Sequence, residues 1–391
     1  MLDSPDPYPL YSWLRENQPV HQVGDSEFYL VSTWSLVNEV LARTEDFSSN
    51  LTATMVIDGA GARPFPLAGV GDTSHVLATA DDPSHAAHRK SVLPSVVARR
   101  ILALEPFISA TAQRLWANAG ADGSVDWVEA VSDRLPMIVV AQLLGFPAVD
   151  VDWLITGAYA TTQMLDGVIT AEQLDAAVAA AGALAEYLAC EFARATADPR
   201  DDLLGDLARQ RNSGLLDDQT CVLMLMQLVG AGGESTSGLL GNAAWLLATH
   251  PDIADTLRAT PESLAMFVDE ALRLESPFKG HYRHVVRDTR LGEVDLPADS
   301  HLLLLWGSAN RDPDAFDSPE LLLLDRPQGR NHLAFGKGTH FCIGAALARL
   351  EARVTLGMLL RESESITVTE PPTWVPSITI RRLQRLSLHI S

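Results

Sequence analysis

The sequence predicts a mainly α protein with a minor β part. Three observations lead there. Helix-forming residues run almost without interruption from Ser84 to Gln210 and again from Asp217 to His250. Strand-like stretches are short: one stands early, at Glu27–Ser32, and the rest fall late, at His281–Asp288, His301–Trp306 and Ile378–Ile390. The 391 residues are 47% apolar and 20% charged, enough to bury a large core and far from a disordered composition.

Taken in order, the elements begin with a short helix at Tyr11–Arg15 after Pro9. The strand Glu27–Ser32 follows, then a helix after Thr33. Phe47–Thr79 is rich in Gly, Ala, Pro and Thr and has weak periodicity. It reads as a long loop with room for one short helix, and loops that long are usually functional or disordered. "AEQLDAAVAAAGALAEYLACEFARA" is a long Ala/Leu/Glu helix. The stretch Asp217–His250 gives about 30 helical residues, or ~45 Å of helix. It is apolar on most faces, the pattern of a helix crossing the interior.

The formal charge is −21, which disfavours nucleic acid as a partner. Of 29 basic residues only Lys90, Lys279 and Lys337 are lysine. Cys190, Cys221 and Cys342 are odd in number and far apart, as suits a reducing cytoplasm rather than a disulfide scaffold. The N-terminus lacks a signal pattern, and no apolar run reaches the ~18 residues of a membrane span. The expectation is a cytoplasmic protein without a span.

Four motifs carry chemistry. "GAGGESTS" (Gly230–Ser237) puts three glycines inside a helix, at roughly 1 kcal/mol each against Ala. Close helix packing explains the glycines alone. A local opening of the helix beside a flat ligand would also explain Glu234 and Ser235, an acid and a hydroxyl suited to proton transfer. Glu270 and Arg273 stand three apart and share a helix face; alone, such a pair is usually a weak surface contact. His85 and Arg89, four apart, would suit an anion, against the default of a solvated face. "FGKGTHFCIG" (Phe335–Gly344) places Cys342 behind glycines and before a helix-forming run. A lone cysteine is ordinarily a small buried hydrophobe. Zinc lacks ligands here, because only His340 is near. Walker A, GxGxxG and GxSxG patterns are absent.

The succession ExxR, "NRDPDAFDSPE" and FGxGxHxCxG near the C-terminus resembles the cytochrome P450 family, and the resemblance covers nearly the whole chain. "FSSNLTATM", "LATADDP", "GAGGEST" and "GHYRH" look closest to the mycobacterial P450 family numbered 144. The resemblance implies a single P450 domain over residues 1–391. A small β-rich part around residues 1–50 would take up the late strands, a long central helix would lie over haem, and a cysteine-ligand loop would stand near the C-terminus.

By motif matching, Cys342 becomes the axial thiolate of haem b, which sits against Phe335, Gly336, Gly344 and Ala231. A helix starting at Ile343 would stabilise the negative sulfur. His85, Arg89, Arg283 and His340 become the propionate partners. Glu270, Arg273 and Arg326 become a structural ion-pair network behind the loop. Glu234, Ser235 and Thr236 become the proton-delivery group, with Ser235 departing from the usual Thr and Gly233 leaving more room than the bulkier residue common there. Substrate candidates are Thr52, Met55, Met164, Leu165, Gln227, Phe278 and His281, with Lys279 either an anchor or solvated. The implied activity is oxygen insertion from O2 into a hydrophobic small molecule, fed by a ferredoxin and its reductase because no flavin domain is present. The alternatives are a peroxide-driven peroxygenase, which in this family goes with a basic residue where Glu234 stands, and a non-catalytic haem-dependent binder or sensor. Arg89, Lys90, Arg99, Arg100, Arg330, Lys337 and Arg349 are expected to gather near the cysteine face as a docking patch for an acidic ferredoxin.

Overall fold

A computed structural model describes every residue except 1–3, 59–60, 68–73, 120–122, 148, 167, 169 and 328; the side chains of 57–58, 61–62 and 171 are also outside the description. The central helix, Asp218–Thr249, spans 32 residues. It starts where the Asp217 side chain accepts from Thr220 N and ends at Thr249, two residues before the Pro251 that opens the next helix. Its N-terminal half (Cys221, Met224, Leu225, Val229) packs into one apolar cluster and its C-terminal half (Leu239 to Leu247) into another. The second cluster is shared with the helices Leu264–Leu274 and Ala345–Arg361. The helix is therefore buried on nearly all sides, as its sequence predicts.

Five short strands form the largest sheet, in the spatial order Val20–Gln22, Phe28–Val31, His301–Leu304, His281–Val285, Phe47–Ser48. His301–Leu304 runs parallel to Phe28–Val31 and antiparallel to His281–Val285, so early and late chain segments close one sheet. Residues two apart on a strand share a face. His281 and Arg283 accordingly leave on one side of the sheet. Tyr282 leaves on the other and packs edge-on against Phe28.

Two expectations change. Phe47–Thr79 is not a plain loop: Ala53–Asp58 and Gly61–Pro66 form an antiparallel hairpin, followed by a 3-10 turn at Leu77–Thr79. Pro64 and Pro66 argue against a strand, yet a two-stranded ribbon tolerates proline on its edges. Second, Glu172–Ala197 is long and apolar enough to cross a membrane by length and composition alone. It lies within the helix Ala171–Ala197, which opens on a Thr170/Gln173 capping box and packs on the helices Val151–Gln163, Leu203–Asn212 and the central helix.

Candidate functional site

The cysteine loop is built by backbone turns that only glycine adopts readily. Gly336 and Gly338 have φ of +65° and +70°. Gly336 N donates to Leu333 O at 2.8 Å, and Cys342 N donates to Phe335 O at 2.8 Å, which closes the loop on itself. The following helix begins at Ala345, two residues later than the sequence suggests, because Ile343 and Gly344 form a turn. Cys342 has substantial accessible area, yet burial raises its thiol above the usual range. Four groups favour the thiolate in return: the N–H of Gly344, the charges of Arg89 and Arg349, and the N–H of Ala345. Cys221 is a core residue whose thiol burial pushes up to about 12, and Cys190 lies on the exposed side of a surface helix.

The central helix carries an accessible stripe midway along its length. Gln227, Ala231 and Ser235 are four apart and share one stripe; Ala231 is exposed and the other two are half-buried, midway along an otherwise buried helix. The helix itself is continuous, so of the two readings the local opening is absent. The glycines serve close packing: a Cβ at Gly230 would meet Thr161 Oγ1 at 2.6 Å, one at Gly232 would meet Val140 at 2.8 Å, and one at Gly233 would collide with Met137. The extra room anticipated at Gly233 is thus filled by Met137.

Polar groups converge at one edge. The His85 and His340 rings stack at 3.9 Å, and His340 Nε2 lies 3.0 Å from Ser49 Oγ. His281 lies 5.8 Å from the Trp306 ring, and Arg283 is buried. Burial, with the Arg283 charge, pushes His281 down to about 4; burial, then His85, Arg283 and His281, push His340 down to about 3; burial takes Arg283 to about 10. The Nδ1 atoms of His281 and His340 and Nε1 of Trp306 are buried without a partner. Buried polar atoms are nearly always paired. Three unpaired ring nitrogens beside buried Arg283, one of them on His340 two residues before Cys342, fit an anionic macrocycle such as haem with its carboxylates. Arg89 donates to the Phe341 carbonyl at 2.9 Å, tying its helix to the cysteine loop.

Glu270 and Arg273 are not the weak surface pair that two such residues usually make. Glu270 accepts two 2.8 Å bonds from Arg273 and bonds of 2.9 and 3.2 Å from Arg326, and all three side chains are buried. Arg273 also donates to the carbonyls of Asn310, Pro319 and Leu321, and Arg326 to those of Asp317, Ser318 and Leu321. The segment leading toward the cysteine loop is thereby fastened to the helix Leu264–Leu274.

Glu234 is buried, and its partners come from distant sequence. Thr162 Oγ1 donates to one carboxylate oxygen and Arg382 Nε to the other at 3.3 Å. Arg382 also pairs with Asp133 at 3.8 Å, and Asp133 accepts from Tyr159 and Ser237. Burial raises the Glu234 pKa, opposed by Arg382 and Thr162. Ser235 Oγ donates to Ala231 O at 2.6 Å, and Thr236 is buried. Arg382, Thr162 and Asp133 were missed by sequence reasoning; no local motif marks them.

The pocket candidates scatter. Thr52 Oγ1 pairs with His301 Nε2 at 2.8 Å. Met55 is fully buried in a cluster with Tyr11, Leu14 and Tyr282. Gln227 Oε1 accepts from Ala78 N at 2.8 Å, holding the 3-10 turn to the central helix. Met164 and Leu165 end the helix Val151–Gln163, and Phe278 bridges to Ile380. Lys279 is buried and donates to Ser377 O rather than reaching solvent.

The cytochrome P450 family model matches residues 262–377. The chain is 52% identical over 386 residues to Cytochrome P450 144 of Mycobacterium tuberculosis, covering 98% of this chain and 89% of that protein. It is 33% identical over 368 residues to Putative cytochrome P450 123 of Mycobacterium bovis, with coverage of 93% and 89%. Its fold superposes on the solved cytochrome P450 CREJ in complex with (4-ethylphenyl) dihydrogen phosphate with a TM-score of 0.91, at 26% identity, covering 99% and 98% of the two chains. The cysteine loop, the buried ExxR pair and these likenesses agree: the chain belongs to the cytochrome P450 family and is a haem monooxygenase.

Proposed function

We propose that the protein inserts one oxygen atom from O2 into a hydrophobic small molecule in the cytoplasm, using electrons from a ferredoxin and its reductase. The observation that carries this reading is the setting of Cys342: an accessible thiol at the end of a glycine-turned loop, favoured as thiolate by two backbone N–H groups and two arginines, with unpaired imidazole and indole nitrogens on His340, His281 and Trp306. Cys342 would hold the iron of haem b through sulfur. Phe335, Gly336 and Gly344 would lie on the sulfur side and Ala231 on the opposite one. His85, Arg283 and His340 would bind the carboxylates, with Arg89 near them. Bound haem supplies reductive activation of dioxygen.

The remaining work belongs to the chain. Glu234, buried and held by Arg382 and Thr162, can take a proton at its carboxylate and pass it toward the stripe bearing Ser235, with Thr236 next to it. Sites for apolar small molecules are mostly apolar, with a few polar groups that fix orientation. The acid at Glu234 disfavours a peroxygenase. Glu234→Ala should slow product formation about 100-fold at unchanged haem content. Ser235→Thr should raise the fraction of NADH that ends in product, since a β-branched side chain restricts the hydroxyl. Unchanged rate and coupling in both variants would overturn the relay.

Of the expected patch, Arg349 pairs with buried Asp269 and Arg100 with Asp201 and Asp206, while Arg330 and Lys337 stay exposed, one pairing with Asp269 and the other donating to Asn38. Lys90 and Arg99 are exposed beside exposed Leu93, Val97 and Leu102, near the helix whose Arg89 touches the cysteine loop. Reversing charge at Lys90 and Arg99 should slow ferredoxin-driven reduction and flatten its salt dependence, with dithionite reduction unaltered. Ferredoxin kinetics matching the parent would exclude this face.

A further inference from the structure

Asp269 directly precedes Glu270, so its side chain leaves the helix ~100° around from it. Glu270 gathers Arg273 and Arg326; Asp269, also fully buried, gathers a second set. Arg349 Nε and Nη2 each reach Asp269 Oδ1 at 2.7 Å. His332 Nε2 lies 3.2 Å from the same oxygen, and Arg330 Nε lies 3.3 Å from Oδ2. His332 Nδ1 accepts from Ala334 N at 3.2 Å, so Nε2 carries the proton shared with Asp269.

Every one of these partners flanks the cysteine loop: Arg330 and His332 lead into it, and Arg349 stands on the helix that leaves it. The Arg349 guanidinium lies 4.5 Å from the centroid of the Phe335 ring. That ring lies 5.7 Å from His332, and the Phe335 carbonyl accepts from Cys342 N. One carboxylate thus holds a cation against the aromatic residue that closes the cysteine turn, and also compensates the charge of that cation.

We propose that Asp269 is a positioning residue for the Cys342 sulfur: it fixes Arg349 and His332 against Phe335 and offsets the arginine's field at the thiolate. The proposal rests on the haem-thiolate reading above. A positive charge near the sulfur stabilises the thiolate and withdraws electron density that it would otherwise lend to iron. Removing the charge on Asp269 leaves Arg349 uncompensated, and removing Arg349 does the reverse.

The test is an equilibrium redox titration with dye mediators, paired with the infrared stretch of carbon monoxide on the reduced protein; neither depends on ferredoxin or substrate. Asp269→Asn should raise both the haem reduction potential and the carbon monoxide stretching frequency. Arg349→Gln should lower both. Arg349 is partly exposed, so this second variant keeps the test decisive even where Asp269→Asn fails to fold. Parent-like potential and stretching frequency in Arg349→Gln, or shifts of the same sign in the two variants, would overturn the proposal. If the parent's carbon monoxide adduct lacks a red-shifted Soret band, the haem-thiolate reading itself is what fails.

Discussion

Cys342→Ala is expected to abolish the red-shifted Soret band of the reduced, carbon monoxide-bound protein, while Cys190→Ala and Cys221→Ala leave it intact. The three thiols differ in what surrounds them. Cys221 is packed in the apolar cluster around the N-terminal half of the central helix, where burial keeps its thiol protonated. Cys190 stands on a surface helix with nothing to position a ligand. Cys342 alone combines an accessible thiol, two glycine turns and four groups that favour the thiolate. A red-shifted band that survives Cys342→Ala and disappears on removal of either other cysteine would refute the assignment.

Arg273→Leu should be among the most destabilising single changes in the protein. Removing one partner of a buried ion pair costs about 3–5 kcal/mol, because the other charge is left uncompensated. Against a total stability of roughly 5–15 kcal/mol that is severe. Here the loss also strands the carbonyls of Asn310, Pro319 and Leu321. These carbonyls belong to the stretch that leads to Arg326 and on to the cysteine loop, so haem retention should fall together with thermal stability. Urea unfolding of the apoprotein and haem transfer to a scavenger protein measure the two effects separately. A variant that matches the parent in both would show that the network is dispensable.

How much of this was legible in the sequence follows from distance along the chain. The cysteine loop was, because its glycines, His340 and Cys342 fall within ten residues and a tight turn needs them in that order. The pairing of Glu270 with Arg273 is local for the same reason, and Arg326 could be chosen as its third member because it follows the "NRDP" segment. Asp269 was not singled out, although it adjoins Glu270: an acid on a helix carries no signal until its partners arrive from residues 330, 332 and 349. The Glu234 network was illegible for a stronger reason. Its Thr162 and Arg382 lie 72 and 148 residues away, on elements that only the folded core brings together. The three glycines of "GAGGEST" show the opposite failing. Packing and a local opening were both open readings of them, with extra room expected at Gly233, but Thr161, Val140 and Met137 stand against them, and helix packing alone explains their size. The fold class came from periodicity over long helices, which is robust; the hairpin after Thr52 was hidden by prolines that a two-stranded ribbon can accept.

The central claim is that this chain activates dioxygen for insertion into a bound apolar molecule. It is tested most directly by taking a ligand that shifts the haem spin state and turning it over with ferredoxin, reductase and NADH under isotopically labelled dioxygen. The account predicts a product carrying one labelled oxygen atom, formed only when the electron-transfer proteins are present. A product free of label and driven instead by added peroxide, or tight binding of such ligands with no product from any of them, would contradict it.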